Sequence, residues 1–192
     1  MSNEKETAPQ LGRVVSVTAY TAEELKQING RAYERAFNAW IVSIWETFGS
    51  DLVEEEMREY LAGRFPSLAI APLSWSLSYC QGDGVAFDSF TLTAEQVAEL
   101  GEELRSGQHF RVKNSNGFHR WSFKVYGDSD DEANQEEAEA TAERLTAALR
   151  DICEELERIG YKYSEDLTSE ASFIECANDN EVLYDARGRV IL

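Results

Sequence analysis

Trp-Ser-Leu-Ser-Tyr-Cys (Trp75–Cys80), Gln-Gly-Asp-Gly (Gln81–Gly84) and Val-Ala-Phe-Asp-Ser-Phe (Val85–Phe90) together form the stretch that decides the fold class. Trp75, Leu77 and Tyr79 alternate with Ser76, Ser78 and Cys80, the period of a half-buried strand. Gly82 and Gly84 supply the positive φ that a reversal needs. Val85–Leu92 resumes in β-favouring residues, and its apolar parity changes between Phe87 and Phe90. That change predicts a bulge near Asp88-Ser89 or burial on both faces. The Gly-Asp-Gly lacks the spaced acidic positions and closing Glu of a calcium loop, and no Gly-Lys-Ser/Thr follows it, so it reads as a turn.

Downstream lies a second hairpin signal, Asn116-Gly117, the preferred two-residue turn. With that turn Ser115 faces Phe118, Val112 faces Trp121 and Phe110 faces Phe123, giving one apolar face. The other face then pairs Lys113 with Arg120, Arg111 with Ser122 and His109 with Lys124. Like charges directly opposite are unfavourable unless something negative covers them. The expected cover is the protein's own acidic helix. The alternative is a nucleic-acid backbone held by Arg111, Lys113, Arg120 and Lys124, with Tyr126 as a stacking residue. His109 and His119 fall on opposite faces of this hairpin, so they cannot share a metal.

Upstream the chain is helical and aromatic. Arg13–Tyr20 reads as a first strand, Thr21 with Glu24 as a capping box, and Gly30 as an interruption. Tyr33, Phe37, Trp40, Ile41, Ile44, Trp45 and Phe48 recur at helical spacing. Gly49 is expected to end that helix and Asp51 to cap the next, striped by Val53, Met57, Tyr60 and Leu61 and stopped before Pro66. An aromatic stripe of this kind ordinarily fills a core. Its functional reading is a homodimer or partner surface on Trp40, Ile44 and Trp45, since Trp and Tyr anchor interfaces. Arg31 and Arg35 oppose the dipole of this helix, which predicts acidic neighbours elsewhere. Between the hairpins, Thr93 with Gln96 caps a short helix that buries Val97, Leu100 and Leu104 and ends near Gly107.

The chain has 192 residues, 43% hydrophobic and 11% aromatic, with a formal charge of −18. One domain over 13–192 is the default, with 1–12 disordered and 22–65 as a separable packing or oligomerisation unit. Asp128–Glu181 holds eighteen Asp and Glu against Arg144, Arg150, Arg158 and Lys162, a local charge of −14. Ala138, Thr141, Leu145, Leu149, Ile152, Leu156 and Ile159 mark a long amphipathic helix there, with Gly160 as its stop. Its outward carboxylates, Glu136, Glu139, Glu143, Asp151 and Glu154, are either a solvated face or a phosphate-like surface for a basic protein. A further helix follows near Glu165–Ala177, turning Leu167, Ala171 and Ile174 inward. A terminal hairpin turns on Asp185–Gly188 and adds its last strand to the main sheet.

Ser-Leu-Ser-Tyr-Cys-Gln-Gly-Asp-Gly (Ser76–Gly84) resembles a family of small acidic proteins encoded by bacteriophages and prophages, some labelled antitoxin of a toxin–antitoxin stability system. The similarity continues through Asp151-Ile152-Cys153, Leu167-Thr168-Ser169-Glu170 and Ala177–Gly188, and leaves out the aromatic helix at Ala32–Phe48. The resemblance implies a phage or prophage origin and no reaction.

Cys80, Cys153 and Cys176 are widely spaced, without Cys-x-x-Cys, which argues against a disulfide framework and a zinc site. Neither histidine has a nucleophile motif beside it. Carboxylate pairs are so numerous that none points to glycosidase chemistry. Cys80 is the nearest to a reactive residue, and a small buried hydrophobe is its ordinary role. No apolar run is long enough to span a bilayer, and the polar N-terminus fits a cytoplasmic protein.

These readings predict an α+β protein, an antiparallel sheet of two main hairpins covered by long amphipathic helices. The functional expectation is a non-enzymatic accessory protein, without cofactor or metal. It would bind a host protein with a basic surface, as inhibitor of a defence or nucleic-acid-binding system or as antitoxin. The alternative is a nucleic-acid-binding regulator using the 109–126 hairpin.

Overall fold

The computed structural model describes residues 17–191, so the disordered segment expected over 1–12 and the start of the first strand lie outside it. The chain divides into two compact units, one running up to Ser43 and resuming at Glu170, the other Ile44–Ser169. The helical segment 22–65 is therefore shared between them.

In the first unit α1 (Ala22–Ile28) opens on the expected Thr21/Glu24 capping box. Asn29 breaks the helix and α2 (Gly30–Ile44) follows. Against α2 lies α6 (Glu170–Asp179), whose Phe173 is fully buried and 5.4–5.6 Å, ring to ring, from Tyr33, Phe37 and Trp40. Phe173 and Ala177 are buried on α6 and Ile174 packs half-buried against the same cluster as expected, whereas Ala171 is exposed, against expectation. The terminal turn is closed by Asp185, whose carboxylate accepts from the Arg187 and Arg189 amides at 2.9 and 3.0 Å and from Arg189 Nε at 2.7 Å. Those bonds, the Arg189 amide foremost, lower its pKa to about 2. Tyr184 bridges Tyr20 and Val190, so the last strand joins the N-terminal segment and not the main sheet.

The second unit begins with a π-helical turn, Trp45–Gly49, that runs without a stop into α3 (Ser50–Arg64). Gly49 has right-handed dihedrals (φ −60°, ψ −38°) and ends nothing, and no side chain caps α3. Val53, Met57 and Leu61 are buried as expected. β1 (Leu73–Ser76) and β2 (Gly84–Phe87) form the first hairpin, with Trp75 opposite Val85 and Ser76 opposite Gly84. The strand is shorter than the alternation suggested, because Tyr79 takes φ 57° and residues 77–83 form the loop. Asp83 organises that loop, accepting from the Cys80 and Ser78 amides at 2.6 and 2.7 Å and from Ser76 Oγ at 2.9 Å. β2 is buried on both faces. The chain then crosses at Asp88-Ser89 into β3 (Phe90–Thr91), which pairs with β4 (Gln108–Asn114) in a separate sheet of order β3-β4-β5, with β5 at Phe123–Ser129. The fold is α+β with two small antiparallel sheets.

Two helices complete this unit. α4 (Ala94–Glu99) has the expected Thr93/Gln96 capping box but ends at Leu100, where Gly101 takes φ 83°, well before Gly107. A 3₁₀ turn (Glu132–Asn134) leads into α5, Gln135–Leu167. Its apolar stripe, Ala138, Leu145, Leu149, Ile152 and Leu156, is buried against β2, β5 and α3. Gly160 does not stop α5. It is buried mid-helix, where a Cβ would come within 2.4 Å of Leu77 Cδ1.

The second hairpin has another register. Phe110 faces Gly127, Val112 faces Val125 and Asn114 faces Phe123. Ser115–Ser122 form the loop, tied by the Ser115 amide to Ser122 O at 2.9 Å and by Asn114, which accepts from the Gly117 amide at 3.0 Å. This register buries Phe110, Val112, Phe123, Val125 and Gly127, and a Cβ on Gly127 would lie 2.3 Å from Ala138 O of α5. Trp121 and Phe118 are left exposed at 63% and 48%.

β5 is an edge strand, and α5 closes much of its free side with side chains. Thr146 Oγ1 accepts from the Val125 amide at 2.9 Å and donates to Ala142 O at 2.7 Å. Arg150 donates to Phe123 O and Arg120 O, and Gln135 donates to Gly127 O and accepts from the Ser129 amide. Such side-chain cover removes the unpaired backbone that makes an edge prone to pairing with other chains.

Candidate functional site

Two charged surfaces of the second unit carry the residues singled out from the sequence. The first is the outer face of α5. At 100° per residue Glu136, Glu139, Glu143, Asp151 and Glu154 fall within an arc of about 120°, over about 27 Å of helix. All five are exposed. Glu154 is 3.4 Å from Arg120, and Glu139 accepts from Gln135 at 2.9 Å. Among the described residues, Glu136, Glu143 and Asp151 have no cation within 4.0 Å. The basic residues of α5 do not neutralise this arc. Arg144 is bound by Glu102 at 2.7 Å, its bond lowering the Glu102 pKa, and Arg158 by Glu155 at 2.6 Å. Arg150 is turned to the β5 edge, with its guanidinium 4.4 Å from the Trp121 ring.

The second surface is the outer face of the β3-β4-β5 sheet. Its alternate residues, His109, Arg111 and Lys113 on β4 and Lys124, Tyr126 and Asp128 on β5, are exposed. Arg111 faces Tyr126, and Lys113 faces Lys124. Tyr126 lies between the two lysines, with Lys113 Nζ 4.8 Å and Lys124 Nζ 5.9 Å from its ring. That is the cation–π arrangement, and it offsets part of their repulsion. α5 packs on the buried side and along the free edge of β5, so it leaves the outer face open, but its Glu139 and Glu143 border one groove with Lys124 and Tyr126 at that edge. Among the described residues no carboxylate pairs with Arg111, Lys113 or Lys124. Arg120 leaves the group. It sits in the 115–122 loop beside Glu154 and would face Lys113 only in the register that the structure does not adopt.

The remaining expectations separate. Of the proposed oligomer surface, Ile44 is buried at 8% exposed, Trp40 is half-buried with its ring packed on Phe173, and Trp45 is accessible, at 38%. His109 is 3.8 Å from Asp130, and His119 lies in the loop, where its Nδ1 accepts from the Trp121 amide at 3.2 Å. Cys80 is exposed in the first hairpin loop, not buried. The buried cysteine is Cys153, and burial pushes its thiol up to about 12. Tyr126 as the partner of two lysines, and Arg150 as a clamp on β5, were not legible as such, because both depend on the register.

Against family models, curated proteins and solved structures, the chain has no match. Among the described residues no helix is long and apolar enough to cross a membrane.

Proposed function

We propose that this chain is a non-enzymatic accessory protein, of the phage or prophage kind that its hairpin motif resembles, and that it binds a basic host protein through α5. The observation that carries the reading is the carboxylate row itself. Five carboxylates share one exposed third of a helix, and among the described residues Glu136, Glu143 and Asp151 have no cation within 4.0 Å while the helix's arginines are engaged elsewhere. A row of this kind offers a basic cleft a charge pattern like that of a nucleic-acid backbone. It supports an inhibitor of a nucleic-acid-binding or defence protein, or an antitoxin.

The test is affinity capture from host lysate with the wild-type chain and with E136K/E143K/D151K, before and after nuclease treatment. The expected result is a basic protein retained through nuclease, released by salt and lost with the triple variant. Retention by the triple variant would overturn the reading.

A second reading rests on Arg111, Lys113, Lys124 and Tyr126, a basic aromatic sheet face whose cations have no ion-paired carboxylate among the described residues. It supports nucleic-acid contact. Nuclease-sensitive capture of RNA or DNA, lost in K113A/K124A, would favour it over the acidic row.

A further inference from the structure

A third feature belongs to neither charged surface. Beside the first hairpin, α3 and α5 bound a cleft of about 640 Å³, walled by Trp45, Trp75, Leu77, Tyr79 and Glu165 with serine and threonine hydroxyls between them. The volume is that of a small-molecule site. Two features indicate a built wall. Trp45 belongs to the π-helical turn, a departure from α-geometry that is frequent at functional sites. Its indole also lies on Gly49, where a Cβ would come within 2.6 Å of Cε3.

The lining is electron-rich throughout. It contains one carboxylate and no Lys, Arg or His. Every side-chain hydroxyl in it donates its proton to the protein: Ser50 to Asp51, Ser76 and Ser78 to Asp83, Tyr79 to Glu165, Ser164 to Gly160 O and Thr168 to Ser164 O. What those oxygens can offer a ligand is lone pairs. The Trp75 indole N–H points to Glu54, at 3.4 Å, so its ring offers a π face or edge. Tyr79 is fixed by its ring contact with Tyr161, at 4.5 Å, and by its 2.8 Å bond to Glu165. An anionic ligand would meet the Glu165 charge with no basic side chain in the lining to oppose it. An ammonium carrying apolar groups would meet aromatic rings, acceptor oxygens and a carboxylate, the surroundings in which such cations are held.

We propose that the cleft between β1, α3 and α5 binds a small organic cation, with Trp45 and Trp75 packing its apolar groups and Glu165 opposing its charge. This does not depend on the partner surface proposed for α5.

The test uses the full chain and three probes of similar size: benzyltrimethylammonium, benzyl alcohol and benzenesulfonate. The readout is the four indole N–H resonances in ¹H–¹⁵N spectra, with Trp40 and Trp121 as internal controls. The expected result is saturable shifts at Trp45 and Trp75, with the cation about tenfold tighter than the alcohol and tighter still than the sulfonate. E165Q keeps an acceptor for Tyr79, so it should lower only the cation's affinity. W45L should weaken the cation and the alcohol alike. No saturation by about 10 mM cation, equal binding of all three probes, shifts centred on Trp40 or Trp121, or an unchanged cation preference in E165Q would each overturn the proposal.

Discussion

Replacing Thr146 by Val removes the one acceptor that α5 offers to the buried Val125 amide while keeping the side chain's shape. The amide donates to Thr146 Oγ1 at 2.9 Å, Val125 and Thr146 are 0% and 4% exposed, and the same hydroxyl is bonded onward to Ala142 O. Stranding a buried donor costs about 1–3 kcal/mol, and the added methyl returns somewhat less than 1 kcal/mol of burial. A net loss of about 1–2 kcal/mol is therefore expected for T146V. T146S keeps the hydroxyl and loses a methyl, a cost of about 1 kcal/mol by transfer. The two variants then resemble each other in urea denaturation and differ in place. Native-state amide exchange should show the Val125 amide losing about tenfold protection in T146V and keeping its protection, relative to neighbouring β5 amides, in T146S. If Val125 remains fully protected in T146V, or if T146S exposes it more, then methyl packing rather than the hydroxyl joins α5 to this edge, and the account of its closure fails.

Three other outcomes follow from the same geometry. G127A should destabilise the second unit by about 3 kcal/mol in urea denaturation, because its methyl would meet α5 backbone at 2.3 Å rather than a flexible chain end; a loss under about 0.5 kcal/mol would refute the close approach. K113E places a carboxylate opposite Lys124 and should stabilise the chain by about 0.5 kcal/mol, read as a rise in melting temperature. A fall would mean that the Lys113 contact with the Tyr126 ring, which K113E gives up, outweighs the repulsion from Lys124. Carboxyl-detected NMR titration should place Asp185 at about 2, against an ordinary value of 3.8. Its folded pKa is the lower one, so its stabilising contribution is complete above about 4 and is lost as pH falls through about 2. An observed value at or above 3.8 would remove the turn-closing role.

What the sequence made legible was local. Both capping boxes formed as read, since Thr21 with Glu24 and Thr93 with Gln96 need only their own turn of helix. The α5 stripe was legible because it repeats over many turns. The register of the second hairpin lies four residues from the one that Asn116-Gly117 predicts, for a physical reason. A slip of four keeps every side chain on its face, so alternation fits Phe110 opposite Phe123 as well as Phe110 opposite Gly127. The choice falls to Gly127, which fits beneath Ala138, and to the side-chain bonds of the 115–122 loop, neither of which has a local signature. Gly49 and Gly160 misled in the opposite way. Each has the local signature of a stop, yet both sit in helical backbone where a neighbour, Trp45 or Leu77, occupies the space of a Cβ. The charged rows were visible as composition, and their meeting along the free edge of β5, where Glu139 and Glu143 border Lys124 and Tyr126, was not. The cleft draws Trp45, Trp75 and Glu165 from remote parts of the chain, which only the fold joins.

The first unit is built from the two ends of the chain, and that imposes an order of events. Tyr33, Phe37 and Trp40 leave the ribosome early, while Phe173, the ring they surround, is made more than a hundred residues later. At roughly 5–20 residues per second the wait is on the order of ten seconds, during which three large rings have no mate. Any product that ends before α6 leaves that wait permanent. In a cell, such a fragment is marked for chaperones and proteases by the same aromatic surface that holds the finished protein together.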